Sequence, residues 1–251
     1  MTNDDGFYAQ GIETLYHRLK DTGKITIVAP DRERSATSLS LTLHHPLRIK
    51  TIESNIFAVS GTPADCIYLA LQKLLPKKPN LIISGINHGP NLGQQDISYS
   101  GTVAGAIQGT FLGVPSLAVS LMSDPEGIFD FGYAAEFVHN LVGIFLKRNI
   151  RSGTILNINI PPPPRKGIKL VKLGQKRYNP EIIVKKDPRK RTYYWIGTGQ
   201  PREMGDQNSD VKLFKKGYIT VTPLQTDKTD YTNLKSSLLH TIFSKVNDET
   251  I

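Results

Sequence analysis

The chain has 251 residues, 39% of them hydrophobic, enough for one large domain or for one domain with a substantial appendage. Its formal net charge is +9, and much of the excess lies late, in runs such as Lys185 to Arg191, where we expect a solvated hairpin tip and not a specific nucleic-acid site. The single cysteine, Cys66, excludes an intramolecular disulfide and a multi-cysteine zinc site, and the absence of a signal-peptide or membrane-spanning pattern predicts a cytoplasmic protein without a membrane partner.

The first half alternates helical spacing with short apolar runs. Helical spacing of apolar residues predicts helices over 11–20, 63–75 and 102–112. Short apolar runs predict strands over 25–29, 56–59, 81–84 and 116–120. Short apolar strands separated by helices are typical of an α/β fold, a mostly parallel sheet with helices on both faces.

The helix over 102–112 carries a stripe of glycines at every fourth position, Gly101, Gly105, Gly109 and Gly113. We expect this smooth face to let the helix lie close to the sheet. Its N-terminal end, at Ser100 to Thr102, offers unpaired backbone N–H groups and the positive end of the helix dipole, which together favour a phosphate.

The second half is richer in strands. We expect a helix over 133–147, strands over 156–160 and 217–224, a hairpin joining 182–184 to 192–196 across the basic turn, and a last helix over 233–246. The hairpin carries exposed aromatic residues, which suit a subunit contact better than a solitary domain. We therefore expect one domain over 1–251, with an α/β core over 1–150 and a C-terminal β-rich extension with a terminal helix over 151–251.

Polar clusters follow the predicted strands at the points where those strands end. Asp4 and Asp5 lie where a first strand should end, Asp31 to Ser35 follow the strand over 25–29, and Asn87 follows the strand over 81–84. The carboxyl ends of parallel strands form the ligand-binding edge of such sheets, so these segments should meet.

The residue types at this edge suit a hard divalent cation and a phosphate. Carboxylate, hydroxyl and amide oxygens are the ligands that Mg²⁺ and Mn²⁺ prefer, which makes Asp4, Asp5, Ser35 and Asn87 the candidate ligands. The candidate phosphate contacts are Asn91, Ser100, Gly101 and Thr102. The pattern indicates a metal-dependent phosphatase in which Asp4 or Asp5 orients or deprotonates the attacking water.

Three alternatives stay open at this point. An aspartyl-phosphate mechanism is disfavoured, because Gly6 stands where such enzymes carry a second aspartate. A nucleotide-binding module without turnover is possible in principle, although no dinucleotide or Walker motif is present. A nucleic-acid-binding protein would use the late basic hairpin.

The chain resembles the SurE (survival protein E) family of metal-dependent 5′/3′-nucleotidases along nearly its whole length. The shared motifs, in order, are TNDDG, APDRERSATS, LTL, PLR, VSGTPADC, SGINHGPNLG, YSGTVAGA and GYITVTPL. The resemblance implies a Rossmann-like core, a C-terminal extension exchanged between subunits of a homodimer or homotetramer, and hydrolysis of nucleoside monophosphates with some activity on short polyphosphate. It also implies one divalent cation per subunit, Mg²⁺ or Mn²⁺, with Asp4, Asp5, Ser35 and Asn87 as ligands and Asn91, Ser100, Gly101 and Thr102 on the phosphate side.

The sequence departs from the family pattern in three places. The family carries about four further apolar residues ahead of Met1, which form its first strand. Without them we expect Asp4 and Asp5 to lie on a frayed end, unless the start is mis-assigned or the first strand is divergent. The alternative to a nucleotidase is therefore a nucleotide-binding or regulatory family member whose turnover is impaired by the truncated strand. Leu39 stands where the family often has histidine. The segment Gln94 to Asp96 is one residue longer than usual between Asn91 and Ser100.

Overall fold

A computed structural model describes residues 1–148, 153–197, 199–204, 206–238, 240–242 and 244. The helices are α1 (Gln10–Leu19), α2 (Pro63–Leu69, continued by a π-helical turn at Ala70–Leu74), α3 (Gly93–Tyr99), α4 (Gly101–Phe111), α5 (Phe131–Arg148), α6 (Asp210–Lys215) and α7 (Tyr231–Leu234). The strands are β1 (Ile27–Pro30), β2 (Ile49–Glu53), β3 (Ile56–Val59), β4 (Ile82–His88), β5 (Ser116–Leu121), β6 (Ile155–Ile160), β7 (Ile168–Leu170), β8 (Gln175–Arg177), β9 (Ile182–Lys186), β10 (Thr192–Ile196), β11 (Arg202–Met204) and β12 (Ile219–Leu224).

Two sheets form the α/β core of the chain, and the larger of them also takes in strands from the second half. The larger has the strand order β4-β5-β6-β12-β7, with β4, β5 and β6 parallel and β12 antiparallel to β6. The smaller has the order β1-β3-β2, with β1 and β3 parallel. The predicted α/β class with a mostly parallel sheet is confirmed.

Helices cover both faces of the larger sheet because its strands are apolar on both sides. On one face, Leu15 of α1 and Val138 of α5 pack in a cluster with Leu117 and Val119 of β5. On the other face, α4 packs against the residue between them, Ala118. Strands buried on both faces are typical of parallel sheets with helical crossovers.

The first two residues bridge the two sheets, contrary to the expected frayed end. The Thr2 N–H donates to the Ile83 carbonyl at 3.0 Å, and the Gly85 N–H donates to the Thr2 carbonyl at 2.9 Å. On the other side, the Val28 N–H donates to the Met1 carbonyl at 2.9 Å. Backbone hydrogen bonds to both neighbouring strands fix the chain immediately ahead of Asp4.

A cavity of about 370 Å³ lies next to Met1, between β1 and β4. Its lining is mostly apolar and includes Ile25, Leu71, Leu81, Ile83 and Val142. The Met1 ammonium group donates to the Thr26 carbonyl at 2.6 Å, and burial lowers its pKa from 8.0 to about 5. Within the part of the chain that the structure describes, the backbone hydrogen bonds that join β1 to β4 run through Met1 and Thr2, and the cavity lies beside them.

The glycine stripe of α4 faces the sheet as predicted. A methyl group at Gly105 would lie 2.7 Å from the Ser84 hydroxyl oxygen, and one at Gly109 would lie 2.5 Å from Ile82 Cδ1. One at Gly101 would lie 2.8 Å from Asp4 Cβ. The helix can therefore approach this closely only because these positions lack a side chain.

The C-terminal part is stranded, as expected. β9 and β10 form the predicted antiparallel hairpin, and β8 pairs with β11 in a second two-stranded sheet. Within the predicted terminal helix over 233–246, residues 233–234, 237–238, 240–242 and 244 are helical, whereas residues 235 and 236 are not and interrupt it; residues 239, 243, 245 and 246 lie outside the described residues. Among the described residues, no helix combines the length and the apolar character needed to cross a membrane.

Candidate active site

The predicted site residues meet where the parallel strands end, around Asp4. The backbone of Asp4 follows the Met1–Thr2 bridge directly, and its carbonyl accepts the Arg34 N–H at 2.7 Å. This bond attaches the loop after β1, which carries Ser35, to the segment that carries the two aspartates. Asn87 is the next-to-last residue of β4, and the residue after it, His88, contacts Asp5.

Asp4 is the most deeply buried acidic group of the site, with 5% of its surface exposed. Its Oδ1 accepts a hydrogen bond from the Thr102 hydroxyl. The pKa of Asp4 is raised from 3.8 to about 6: burial is the main cause, the Thr102 hydroxyl opposes the shift, and the neighbouring charge of Asp5 adds to it. A carboxylate in this environment gains from a cation placed next to it.

Asp5 is held by His88 in two ways. The His88 N–H donates to Asp5 Oδ2 at 3.4 Å, and the ring Nδ1 lies 3.3 Å from Asp5 Oδ1. The imidazole packs edge-on against Phe129 and Phe131, with ring centroids 5.0 Å and 4.9 Å away. The ring is thereby fixed between two phenylalanines and the carboxylate.

A bulge in β4 brings Asn87 and His88 to this place. Ser84 pairs with Ala118 and Asn87 pairs with Ser120, so that two residues of β4 face one residue of β5. Gly85 lies in the bulge with φ +139°, and a methyl group there would lie 2.3 Å from the Val119 carbonyl oxygen. Only glycine fits at this position, because both the backbone angle and the close approach exclude a side chain.

Ser35 lies on an exposed loop close to the aspartates. Its hydroxyl donates to Glu33 Oε1 at 2.7 Å, so its oxygen lone pairs remain available to a cation. The loop is also attached to the other side of the site, because the Ser38 N–H donates to the Tyr99 carbonyl at 3.0 Å and the Ser38 hydroxyl donates to the Ser98 carbonyl at 2.7 Å.

The N-terminus of α4 points its first residues at Asp4. Ser100 caps the helix by accepting the Val103 N–H at 3.1 Å, and Gly101 and Thr102 are buried against Asp4. Because the backbone N–H groups of a first helical turn have no partner within the helix, they are suited to phosphoryl oxygens. The carboxylates and the predicted phosphate contacts are therefore adjacent.

Asn91 was predicted to contact the phosphate, but its side-chain amide is hydrogen-bonded within the fold. Its amide donates to the Ser120 hydroxyl at 2.8 Å, and its backbone N–H donates to Asn159 Oδ1 at 2.7 Å. Its backbone carbonyl accepts from the amides of Asn157 and Asn159 at 2.9 Å and 3.0 Å. This buried network fixes the start of the phosphate-side loop.

The residues fit a hard divalent cation. Two carboxylates lie side by side, and within the part of the chain that the structure describes neither forms an ion pair with a lysine or arginine. The Asn87 amide donates to the Gly89 carbonyl at 2.7 Å through its nitrogen, so its oxygen remains a ligand atom. Oxygen donors from carboxylate, hydroxyl and amide groups match Mg²⁺ and Mn²⁺. No cluster of three or more His, Cys, Asp or Glu side chains occurs among the described residues, which is consistent with a donor set that depends on Ser and Asn.

Sequence reasoning missed several residues that build the site. Asn157 and Asn159 hold Asn91, and His88 holds Asp5. A signal was present for the asparagines, because two polar residues on one face of the apolar strand 156–160 need buried hydrogen-bond partners. The pairing with Asn91 carries no local sequence signal.

Comparison with known proteins agrees with this geometry. The sequence model of the family described as Survival protein SurE matches residues 1–180. The protein named 5′-nucleotidase SurE of Geotalea uraniireducens is 44% identical over 237 residues, which cover 93% of this chain and 95% of the relative. The protein of the same name from Vibrio cholerae is 44% identical over 251 residues, 98% of each chain. The crystal structure of the SurE protein from Aquifex aeolicus superposes with a TM-score of 0.80 at 40% identity and covers 94% of this chain and 96% of that one.

Proposed function

Since the chain belongs to the SurE family, we propose that it is a 5′-nucleotidase, a phosphomonoesterase that hydrolyses nucleoside 5′-monophosphates, and also 3′-monophosphates, to nucleoside and phosphate. The observation that carries the proposal is the contact between Asp4 and the N-terminus of α4, because it places a buried carboxylate beside a group of phosphate-binding N–H donors. Short polyphosphate would meet the same donors.

A divalent cation, one per subunit and either Mg²⁺ or Mn²⁺, would be held by Asp4, Asp5, Ser35 and Asn87. When bound, such a cation neutralises charge on phosphoryl oxygens and lowers the pKa of water. The buried carboxylate of Asp4 and the doubly held carboxylate of Asp5 supply the negative charge that such a cation needs.

The residues of the chain perform the remaining tasks. The backbone N–H groups of Gly101 and Thr102 and the Ser100 hydroxyl would bind the phosphoryl oxygens and stabilise the negative charge that grows on them in the transition state. Asp4 or Asp5 would orient the attacking water or accept its proton. Asn91 would contribute by fixing the loop on the phosphate side.

The alternative of a binding protein with impaired turnover is not favoured. It depended on a frayed end at Asp4, whereas the Met1 and Thr2 backbones are hydrogen-bonded to both neighbouring strands. The curated relatives are named as nucleotidases.

The test is phosphate release from 5′- and 3′-nucleoside monophosphates with Mn²⁺, with Mg²⁺ and with EDTA. We expect metal-dependent release that Asp4→Asn reduces more than about a hundredfold, because a neutral amide is a far weaker ligand. Asp21→Asn, an exposed aspartate at the end of α1, is the matched control and should leave the rate unchanged. Release that persists in EDTA, or equal rates in both variants, would overturn the proposal.

We also propose that the protein is a cytoplasmic homodimer or homotetramer in which the extension over 151–251 is exchanged between subunits. The support is the β9–β10 hairpin, whose residues are all exposed and include Tyr194, Trp195 and Ile196 at 67%, 62% and 76%. An exposed apolar hairpin of this kind needs cover from another surface.

A further inference from the structure

The helix α3 connects the loop at Asn91 to the phosphate-side residues at Ser100, and a buried ion pair holds it. Lys176 of β8 places its Nζ 2.6 Å from Asp96 Oδ2, and the two side chains are only 13% and 9% exposed. For comparison, the pair between Lys172 and Asp206 lies at the surface, with 66% and 42% exposure. A charge pair that has been removed from water constrains its partners far more than a surface pair does.

Asp96 transmits this constraint to both ends of α3. Its Oδ2 also accepts the Leu92 N–H at 3.2 Å, which ties the carboxylate to the start of the helix. Its backbone carbonyl accepts the Ser100 N–H at 2.9 Å. Ser100 in turn caps α4, whose Thr102 contacts Asp4.

Further contacts attach the same helix to the C-terminal part of the chain. Gln95 Oε1 accepts the Tyr178 N–H at 3.0 Å, and the Gln94 N–H donates to the Gly174 carbonyl at 3.0 Å. Together with the ion pair of Asp96, these contacts attach Gln94, Gln95 and Asp96 to β8 and to the residues that flank it.

We propose that Lys176 is a positioning residue for the phosphate site, acting through Asp96 on Ser100 and the N-terminus of α4. The proposal rests on the proposed function, because it assigns phosphate binding to that N-terminus. Without the Lys176 ammonium, the Asp96 carboxylate is left buried and unpaired, and it gains by turning toward water. The helix α3, and with it Ser100 at its C-terminal end, then loses its fixed position.

The test compares Lys176→Met with Lys172→Met, which removes a lysine from an exposed ion pair of the same part of the chain. Inorganic phosphate is titrated by calorimetry into the Mn²⁺-loaded protein, and KM and kcat are measured with a nucleoside 5′-monophosphate. We expect Lys176→Met to weaken phosphate binding and to raise KM by about tenfold, with a smaller change in kcat, because misplaced donors lose binding contacts. Lys176→Arg should restore most of the affinity, and Lys172→Met should behave as the wild type.

Two further measurements make the result decisive. The Mn²⁺ affinity of Lys176→Met, followed by electron paramagnetic resonance, should fall less than the phosphate affinity, since among the four candidate ligands only Ser35 lies on a loop that is attached to α3, through Ser38. If Lys176→Met does not fold, the double variant Asp96→Asn with Lys176→Met leaves no unpaired carboxylate but still lacks the ion pair that ties α3 to β8, so it should bind phosphate more weakly than the wild type. Unchanged phosphate affinity in the folded variants, an equal loss in Lys172→Met, or no phosphate binding by the wild type would overturn the proposal. A wild type that binds phosphate without hydrolysing nucleotides would count against the nucleotidase proposal alone.

Discussion

Asp4 is a carboxylate whose burial has a direct thermodynamic consequence. Its pKa is raised from 3.8 to about 6 in the folded protein, so in the absence of a cation the folded state binds a proton more tightly than the unfolded state does. The folded state is therefore penalised as the pH rises from about 4 through 6, and the penalty is constant above that range. The shift corresponds to about 3 kcal/mol at pH 7.

We predict that, without metal, the free energy of unfolding of the wild type falls between pH 5 and pH 7 when it is measured against that of Asp4→Asn. The variant has no carboxyl group at this position, so it loses no proton there. Urea unfolding of both proteins at the two pH values in EDTA measures the difference. Asp4→Asn should be the more stable protein at pH 7, by up to about 3 kcal/mol, and the gap should narrow at pH 5. A gap that is independent of pH would contradict the prediction.

His88 is the second residue whose environment leads to a prediction. Its backbone and its ring both contact Asp5, and Phe129 and Phe131 fix the ring. We predict that His88→Ala weakens Mn²⁺ binding by about 10- to 100-fold, the usual effect of removing a residue that orients a ligand. His17→Ala, at an exposed position on α1 where the histidine also faces a carboxylate, is the control. Equal Mn²⁺ affinities in the two variants, measured by calorimetry, would show that Asp5 holds its position without the imidazole.

How far sequence predicts a site residue depends on what positions it. That Asp4, Asp5, Ser35 and Asn87 meet could be predicted, because each was placed at the carboxyl end of a predicted strand and such ends meet at one edge of a parallel sheet. The contact of His88 with Asp5 depends on the bulge at Gly85, and the position of the Asn91 backbone depends on asparagines more than 60 residues later, because Asn157 and Asn159 bind its carbonyl. No local pattern encodes either.

Among the elements, α4 gives a prediction from a matched pair of glycines. A methyl group at Gly105 would meet the Ser84 hydroxyl oxygen at 2.7 Å and Thr2 Cγ2 at 2.9 Å, whereas one at Gly143 in α5 would meet nothing within 4 Å. We predict that Gly105→Ala destabilises the protein by about 1–3 kcal/mol. Gly143→Ala should stabilise it by about 0.5–1 kcal/mol, since alanine is the better helix former. Chemical denaturation of both variants measures the change in the free energy of unfolding. A change of the same sign in both variants would contradict the close packing of α4 against the sheet.

The helices and strands that could be predicted from the sequence pack on the apolar core, whereas those that were missed are short and are held by polar contacts. Helices such as α1, α4 and α5 and strands such as β3 and β5 carry a strong apolar pattern, because they pack on a core, and their predicted bounds agree with the structure to within a few residues. The elements α3, α6, β8 and β11 are three to seven residues long and are held by polar contacts with distant segments. Asp210, for example, binds the N–H groups of both Gly93 and Gly174. Such elements have no apolar period for a sequence to reveal.

The gap between β1 and β4 leads to another prediction at this scale. Among the described residues, Met1 bonds to β1 and Thr2 bonds to β4, and the apolar cavity beside them has a volume of about 370 Å³. We predict that four added apolar residues ahead of Met1, alternating valine and isoleucine, raise the Tm by at least about 4 °C. They would bury apolar side chains in the cavity and move the buried ammonium group into water. An added Gly-Ser-Gly-Asp segment of the same length is the control. Equal Tm values for the two extended proteins in calorimetry would show that the cavity does not accept a strand.

At the scale of the whole molecule, the β9–β10 hairpin is the surface that a single subunit leaves least protected. It stands apart as a two-stranded sheet, its aromatic and aliphatic residues are exposed, and an isolated hairpin is at best marginally stable in water. Trp195 lies on it and is the only tryptophan of the chain, so its fluorescence reports on this surface alone.

We predict that the Trp195 emission shifts to shorter wavelength as the protein is concentrated, because association removes the indole from water. Ile196→Asp should weaken this association by at least about tenfold, since a charge in the buried centre of an interface is costly. Ile144→Asp introduces the same charge at an exposed isoleucine of α5 and should leave association unchanged. Sedimentation of the three proteins across the same concentrations checks the assignment independently of fluorescence. A wild type that stays monomeric and keeps a water-exposed emission at all concentrations would show that the hairpin is stable without a partner.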